Sequence, residues 1–487
     1  MLCDTVNKIF PWFNDYFEKY GELSLCEVQR NFKQTTLCPS DEFILKCVSY
    51  TQNVYGYSIA QKLKQTLEKG YCAYFANHGG FENHPQLISS TLCALAYEIL
   101  TEKNIHPIFA CTSIGAQNPT LPTGFISSQL SDNFKRKKAC LYSSKYRDVL
   151  LNNLPKLDNE KFLKVLKSAQ EKGFSNKEIA ALKKLSPVFR SFNQRELIYS
   201  SSIFNSAAYS YFMPSEPETK AIFLDIDKIG TELLTDDLKD DHSFISKLID
   251  NKNVLEQILF SLCNVSGCWS EDLIHFKTGT SYKSMGSILF FEISETGRKS
   301  PLRLLKKDNN DYYLKGERLF FKLQREEINS LLISGDIIPG IYVLQSNIAF
   351  THNLSLTGGI FMRTYFEAMV QATIKAFLKA GIDFSFIAAK QKLTMVSSMP
   401  LPFYIREDNC NQNTVLDKLN EVHPISLLDL FCKKLDISTI EKMMSVKLKE
   451  IKEASACDLL LEYGSYNLIK DNIQEILEYR ASGFILS

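Results

Sequence analysis

Apolar residues recur at helical spacing early in the chain, where Val6, Ile9, Phe10, Phe13 and Phe17 share a face, and Ser40-Asp41-Glu42 has the composition of a helix start. Residues 1–70 are therefore expected to be helical. The pattern then changes: Tyr71 to Ala76 is a short aromatic-rich run suited to a buried strand. A polar loop follows, Gln86 to Lys103 has the spacing of a helix with Pro85 just ahead, and Ile105 to Cys111 reads as a second strand. Strand, loop, helix and strand in this order form the βαβ unit of a parallel sheet.

Farther along, residues 145–200 are charged and helical, Ala221 to Asp225 is a strand, and helices are expected over 242–263. Residues 286–323 are β-rich, with a strand at 287–293, a turn at Glu295-Thr296-Gly297-Arg298, and a hairpin whose arms flank Lys315-Gly316-Glu317. A short helix at 324–334, a strand near 341–350, a helix at 360–380 opened by Gly358-Gly359, and a mostly helical stretch from 413 complete the pattern. No internal repeat or low-complexity linker marks a boundary.

At 487 residues the chain exceeds what one core usually organises, so two or three units are expected. A helical segment over 1–70, a first part of the α/β core over 71–145, a helical insertion or arm over 146–204, the remainder of the core over 205–400 and a helical region over 401–487 fit the pattern. Lys plus Arg number 56 against 55 Asp plus Glu, a net charge of +1. This balance supplies no bulk field for a polyanion, so nucleic acid is not an expected partner. The run Lys135-Arg136-Lys137-Lys138 reads as solvated surface. The 13 cysteines are odd in number and scattered without a Cys-x-x-Cys pair, as in reduced core thiols. Met1-Leu2-Cys3-Asp4 does not open a signal peptide, and no run approaches the roughly 18 apolar residues of a membrane helix. A cytoplasmic protein without membrane partners is expected.

The chemistry concentrates in Asn77-His78-Gly79-Gly80-Phe81-Glu82-Asn83-His84-Pro85. Ligands of open α/β sheets bind at the carboxyl ends of strands, and this loop follows a strand. Gly79 and Gly80 let a ligand approach the main chain, and the helix start near Gln86 offers free N–H groups to an anion. Three chemistries suit these side chains. Asn77, Gly79, Gly80 and Asn83 would bind an anionic or nucleotide-like molecule, with His78, Glu82 and His84 as acid, base or orienting groups. Alternatively, His78, Glu82 and His84 would ligate a metal such as zinc, although no further ligand is identifiable and no metal or cofactor is specified. The third option is a turn held by asparagine hydrogen bonds.

The loop from Thr112 and Ser113 to Gly124, with Gln117 and Asn118, would flank the first if the strands are adjacent. Gly358 and Gly359 before a helix, with Arg363 and Tyr365 one turn inside, have the form of an anion site, with helix–strand packing as the plain alternative. Other motifs fall away. Phe223-Leu224-Asp225-Ile226-Asp227 has the Asp-x-Asp of a phosphatase strand but continues Lys-Ile-Gly, so it reads as a helix N-terminus. Gly-x-Ser-x-Gly and His-Glu-x-x-His do not occur, and His242, His275, His352 and His423 are isolated.

The order of pieces over 72–124 and about 312–396, above all Leu356 to Tyr365 and the helix after it, resembles the bacillithiol-type cysteine-adding enzymes. The resemblance implies a Rossmann-like core, a helical arm used for pairing, and joining of an amine-bearing moiety to a sugar conjugate. The early loop reads Ala-Asn-His-Gly-Gly-Phe where that family carries Thr-Gly-Gln-Gln, so no catalytic residue is carried over. Asn-His-Gly-Gly is also similar to the Gly-His-Gly-Gly-Asn of creatininase-type amidohydrolases, whose acidic metal ligands are not recognisable here. The expected fold class is α/β: a Rossmann-like parallel sheet core with additional helical segments and a small β-rich insertion. The expected function is an enzyme acting on a small, polar, anionic metabolite, with ligase or transferase favoured over hydrolase. Two copies would pair through the helical segments. The contrasting classes are a noncatalytic interaction or effector-type protein and a metal-dependent amidohydrolase using His78 and His84.

Overall fold

The computed structural model describes residues 38–75, 77–82, 91, 105–116, 122–130, 136–210, 220–262, 268, 289–306, 311–358, 362–382 and 396–397. The helices expected over 1–37, 86–103 and 413–487 lie outside the described residues, apart from Thr91.

The first described helix, α1 (Asp41–Tyr55), starts where the sequence predicts: the Ser40 hydroxyl accepts from Phe43 N at 3.2 Å, and Asp41 and Glu42 occupy the first turn. Gly56, at φ +90°, turns the chain into α2 (Tyr57–Leu67). Then come β1 (Cys72–Tyr74), β2 (Asn77–His78), β3 (Ile105–Cys111), and an antiparallel pair that the pattern did not announce, β4 (Gly124–Leu130) with β5 (Arg136–Cys140). The expected solvated basic run thus supplies a strand: Lys137 and Lys138 are half-buried, and Lys137 Nζ donates to Gly173 O at 2.7 Å.

Next follow α3 (Asn159–Glu171), α4 (Asn176–Ser191), α5 (Leu197–Ser210), β6 (Lys220–Asp225), α6 (Ile226–Asp237), α7 (Phe244–Asp250) and α8 (Lys252–Ser261). The β-rich stretch resolves into β7 (Phe290–Ile293), β8 (Lys299–Pro301), β9 (Arg303–Lys306), β10 (Tyr312–Lys315) and β11 (Phe320–Lys322). After α9 (Arg325–Ser334) and β12 (Ile337–Pro339) come α10 (Ile341–Phe350), β13 (Ser355–Gly358), α11 (Met362–Lys379) and β14 (Val396–Ser397).

Another element differs in kind from expectation. Residues 341–350 form helix α10, not a strand, and every residue from Tyr342 to Phe350 is buried. A helix covered on all sides needs no polar face, so its sequence carries no 3.6-residue period to separate it from a buried strand.

The protein is a mixed α/β chain with small parallel sheets. Three parallel strands run β2-β3-β6, and another parallel set runs β1-β13-β14. The β-rich region is antiparallel, in the orders β8-β7-β12 and β9-β10-β11. The β3–β6 pair separates two cores. Ile105, Phe109, Ile222 and Leu224 pack with α1, α2 and the helices from α6 to α11. Ile108, Ala221 and Phe223 face the other way. Alternate residues of each strand therefore enter different cores, which is why β3 is apolar apart from His106 and β6 is apolar from Ala221 to Leu224. The second core is aromatic, with Phe81, Phe125, Phe189 and Phe204 in mutual ring contact and Phe162 stacked on Phe189 at 4.1 Å.

Candidate functional site

The histidine–glycine loop does lie at the carboxyl rim of the sheet. Asn77 and His78 form β2, in register with Ala110 and Cys111 at the end of β3. Among the described residues, the turn at 79–82 is packed by its own chain. Gly79 N donates to Cys111 O at 2.6 Å, Phe81 N to Pro122 O at 2.7 Å, and Asn205 clamps the turn through Gly80 O and Glu82 N, both at 2.9 Å. A Cβ on Gly79 would meet Thr112 Cγ2 at 2.6 Å, and one on Gly80, at φ +97°, would meet Pro122 O at 2.2 Å. The room these glycines leave is filled by protein. Asn77 and Glu82 are buried, and Glu82 accepts from the Thr91 hydroxyl at 2.6 Å. His78 is half-buried; Asn83 and His84 lie outside the described residues.

Thr112 and Ser113, by contrast, line a cavity of about 680 Å³ in which none of residues 77–82 takes part. It opens at the carboxyl ends of β3 and β6. Its walls come from α1 (Lys46, Tyr50, Asn53), the turn at Leu150 to Asn153, the start of α5 (Glu196, Ile198, Tyr199), α6, and the end of α9 with β12.

Its floor is Asp225 and Asp227. Asp225 ends β6 opposite Ala110 and caps α6, its Oδ1 accepting from Lys228 N at 3.0 Å. The helix N-terminus expected from Phe-Leu-Asp-Ile-Asp is therefore present, but the cap carries more. The Thr112 hydroxyl donates to Asp225 Oδ1 at 2.7 Å, and Asn152 Nδ2 donates to Asp225 Oδ2 at 3.2 Å and to the Thr112 hydroxyl at 2.9 Å. Asp227 Oδ2 accepts from the backbone N–H groups of Thr112 and Ser113, the latter at 2.8 Å. Behind this turn, Lys299 of β8 donates to Ser113 O at 2.7 Å and lies 4.5 Å from the Phe291 ring centroid.

Burial and the neighbouring Asp227 charge push the Asp225 carboxyl up to about 6, against the pull of the Thr112, Lys228 and Asn152 donors. Asp227 is raised by burial too, opposed by its backbone donors and Lys299. Burial lowers Lys299 despite Asp227 beside it. The Tyr50 phenol is raised by burial and then by Asp225. Burial and the same two carboxylates hold the Cys111 thiol well above its ordinary value, so it is no thiolate. The arrangement can accept or deliver one proton near neutrality while donors hold the second carboxylate in place.

The remaining sequence candidates fall elsewhere. Gly358 ends β13, Arg363 is in the first turn of α11, and Gly359 and Asn118 lie outside the described residues. Tyr365 is half-buried, hydrogen-bonded to Gln345, and raised by burial. His352 is buried between Ser40 and Asp237, each at 2.8 Å, which ties the start of α1 to the end of α6. Among the described residues no group of three or more His, Cys, Asp or Glu is placed to hold a metal ion, and no helix is long and apolar enough to cross a membrane. The charges lining the cavity are Asp225, Asp227, Glu196 and Glu232 against Lys46 and Lys228, a field that disfavours the expected anion.

Asp225 and Asp227 had a usable signal, two acids two apart where a strand ends, the position at which α/β sheets bind ligands. Asn152, Tyr50 and Lys299 had none, since they arrive from distant elements. Comparison with models of known families, with curated proteins and with solved structures finds no match.

Proposed function

We propose that the protein is an enzyme that binds a small polar metabolite in the cavity over β3 and β6 and uses Asp225 as its proton acceptor or donor. The observation that carries this is a buried carboxyl held near 6, beside a second carboxylate, on the floor of a cavity at strand carboxyl ends. A plain helix cap has no need of a burial-raised carboxyl, because an exposed aspartate caps as well without the desolvation. The two parallel sets, β1-β13-β14 and β2-β3-β6, support a Rossmann-like reading of this core. In such a sheet the cavity occupies the usual ligand position. We favour a transferase or ligase: ionised Asp225 takes the proton from a substrate hydroxyl or amine as that group bonds to the acyl or phosphoryl centre of a second substrate, whose leaving group departs with the electrons of the broken bond, while Asp227 keeps the Thr112–Ser113 turn in place.

The test is a thermal-shift screen of amines, amino acids, sugars, sugar phosphates and nucleotides on wild type and Asp225→Asn. At least one class should raise the wild-type melting temperature, and the variant should fold yet lose that response. If no class acts on either protein and Asp225→Asn changes stability alone, the pair is a structural cap and the noncatalytic reading replaces this one.

A further inference from the structure

Two buried carboxyls side by side leave open which of them carries a proton, and here their donors differ. Asp225 accepts from three neutral groups, the Thr112 hydroxyl, Lys228 N and the Asn152 amide. Asp227 accepts from the backbone N–H groups of Thr112 and Ser113, and Lys299 stands behind that turn, donating to Ser113 O at 2.7 Å. Lys299 is placed as an ammonium would be. Its Nζ meets a carbonyl oxygen and lies over the Phe291 ring, and both attract positive charge. Its backbone is fixed from two sides: Lys299 pairs with Ile293 across β7 and β8, and Arg298 before it bridges to Val149. Leu150 N donates to Gly297 O at 2.9 Å, which ties the β7–β8 turn to the segment that carries Asn152. The other titratable groups around the pair act differently. Tyr50 of α1 and Cys111 of β3 are raised by burial and neutral near pH 7, and Lys228 of α6 meets Asp225 through its backbone N–H.

Resting on the reading of Asp225 as a proton-transfer group, we propose that Lys299 is a positioning residue of this site, whose charge keeps Asp227 ionised and so assigns the exchangeable proton to Asp225. Lys299 is not on the cavity lining, so it acts through Asp227 and not on the ligand. Burial, and then repulsion from ionised Asp227, hold the Asp225 carboxyl at about 6. Were Asp227 protonated instead, that repulsion would vanish, and its Oδ2 would accept the two N–H groups more weakly.

The experiment is carboxyl ¹³C NMR of the ligand-free full chain, labelled at aspartate, from pH 4 to 8. The two signals are assigned by their loss in Asp225→Asn and Asp227→Asn. In the wild type, Asp225 should titrate at a higher pH than Asp227. Lys299→Gln keeps a donor for Ser113 O but carries no charge, and it should move the Asp227 midpoint up by about one pH unit or more. The Asp225 midpoint should then fall, as its neighbour holds a proton over more of the range. Lys299→Arg, which keeps the charge, should leave Asp227 at the wild-type midpoint. An Asp227 signal unmoved in Lys299→Gln would overturn the proposal, because anchoring the turn needs the hydrogen bond and not the charge. So would a wild type in which Asp227 titrates above Asp225, a comparison that requires no lysine variant to fold. With no ligand present, these outcomes are separate from the metabolite screen, which decides whether Asp225 serves a reaction.

Discussion

Two turns at the same rim of the sheet have opposite fates. Residues 79–82, after β2, carry the histidine- and glycine-rich sequence that looks like a binding loop, yet Pro122, Thr112 and Asn205 fill the space around them. Residues 225–228, after β6, look like an ordinary helix start and form the floor of a cavity. Glycine permits close approach, but whether protein or ligand makes that approach depends on what packs opposite. Conversely, one aspartate can cap a helix and hold a proton, because the cap uses Oδ1 while Oδ2 accepts from the Asn152 side chain.

The contrast is open to test at each turn. Gly80→Ala should have the largest effect, costing about 3 kcal/mol in chemical denaturation, because a backbone carbonyl cannot move aside for the new Cβ and φ is positive. A loss below about 1 kcal/mol would mean the turn has slack, reopening it as a ligand site.

Asp225→Asn comes next, with the opposite sign. A carboxyl whose native value lies near 6, above its unfolded value of about 4, binds more protons folded than unfolded between those limits. Wild-type stability should therefore fall as pH rises through that window and level off above it. The variant lacks this fall, since asparagine still caps the helix, and should be about 2 kcal/mol more stable than wild type at pH 7.5. Denaturation curves from pH 4 to 8 measure both, and a variant less stable at every pH contradicts the burial-raised carboxyl.

Thr112→Val removes one donor from Asp225. It should cost about 1 kcal/mol and move the carboxyl's titration, followed by NMR, upward from about 6. A downward or absent movement would show that the hydroxyl does not hold the ionised form. His78→Ala should have the smallest effect, under about 1 kcal/mol on melting and less than twofold on the affinity of any ligand found. Loss of binding in that variant would return the chemistry to the glycine loop.

Much of the fold was legible. Ser40 as a cap, β3 over Ile105 to Cys111, β6 ending at Asp225, the Lys315-Gly316-Glu317 hairpin and the helix after Gly358 are all where apolar period and turn chemistry put them. These features are set within a few residues of themselves. The fully buried α10 was not legible, because burial on all sides erases the period. The cavity was half legible: Thr112 and Ser113 line it, but their partners do not neighbour them in the chain.

The sequence by itself determined most of the helices and strands, that the core is α/β, and which strand ends could carry chemistry, because those properties follow from local spacing and residue type. Only the tertiary structure decided what packs against each of those ends. Asn152, 40 residues beyond Thr112, and Lys299, 186 beyond Ser113, meet the acid pair through packing alone. The raised pKa of Asp225 likewise comes from surrounding protein that excludes water and holds Asp227 close, a condition no stretch of chain specifies locally.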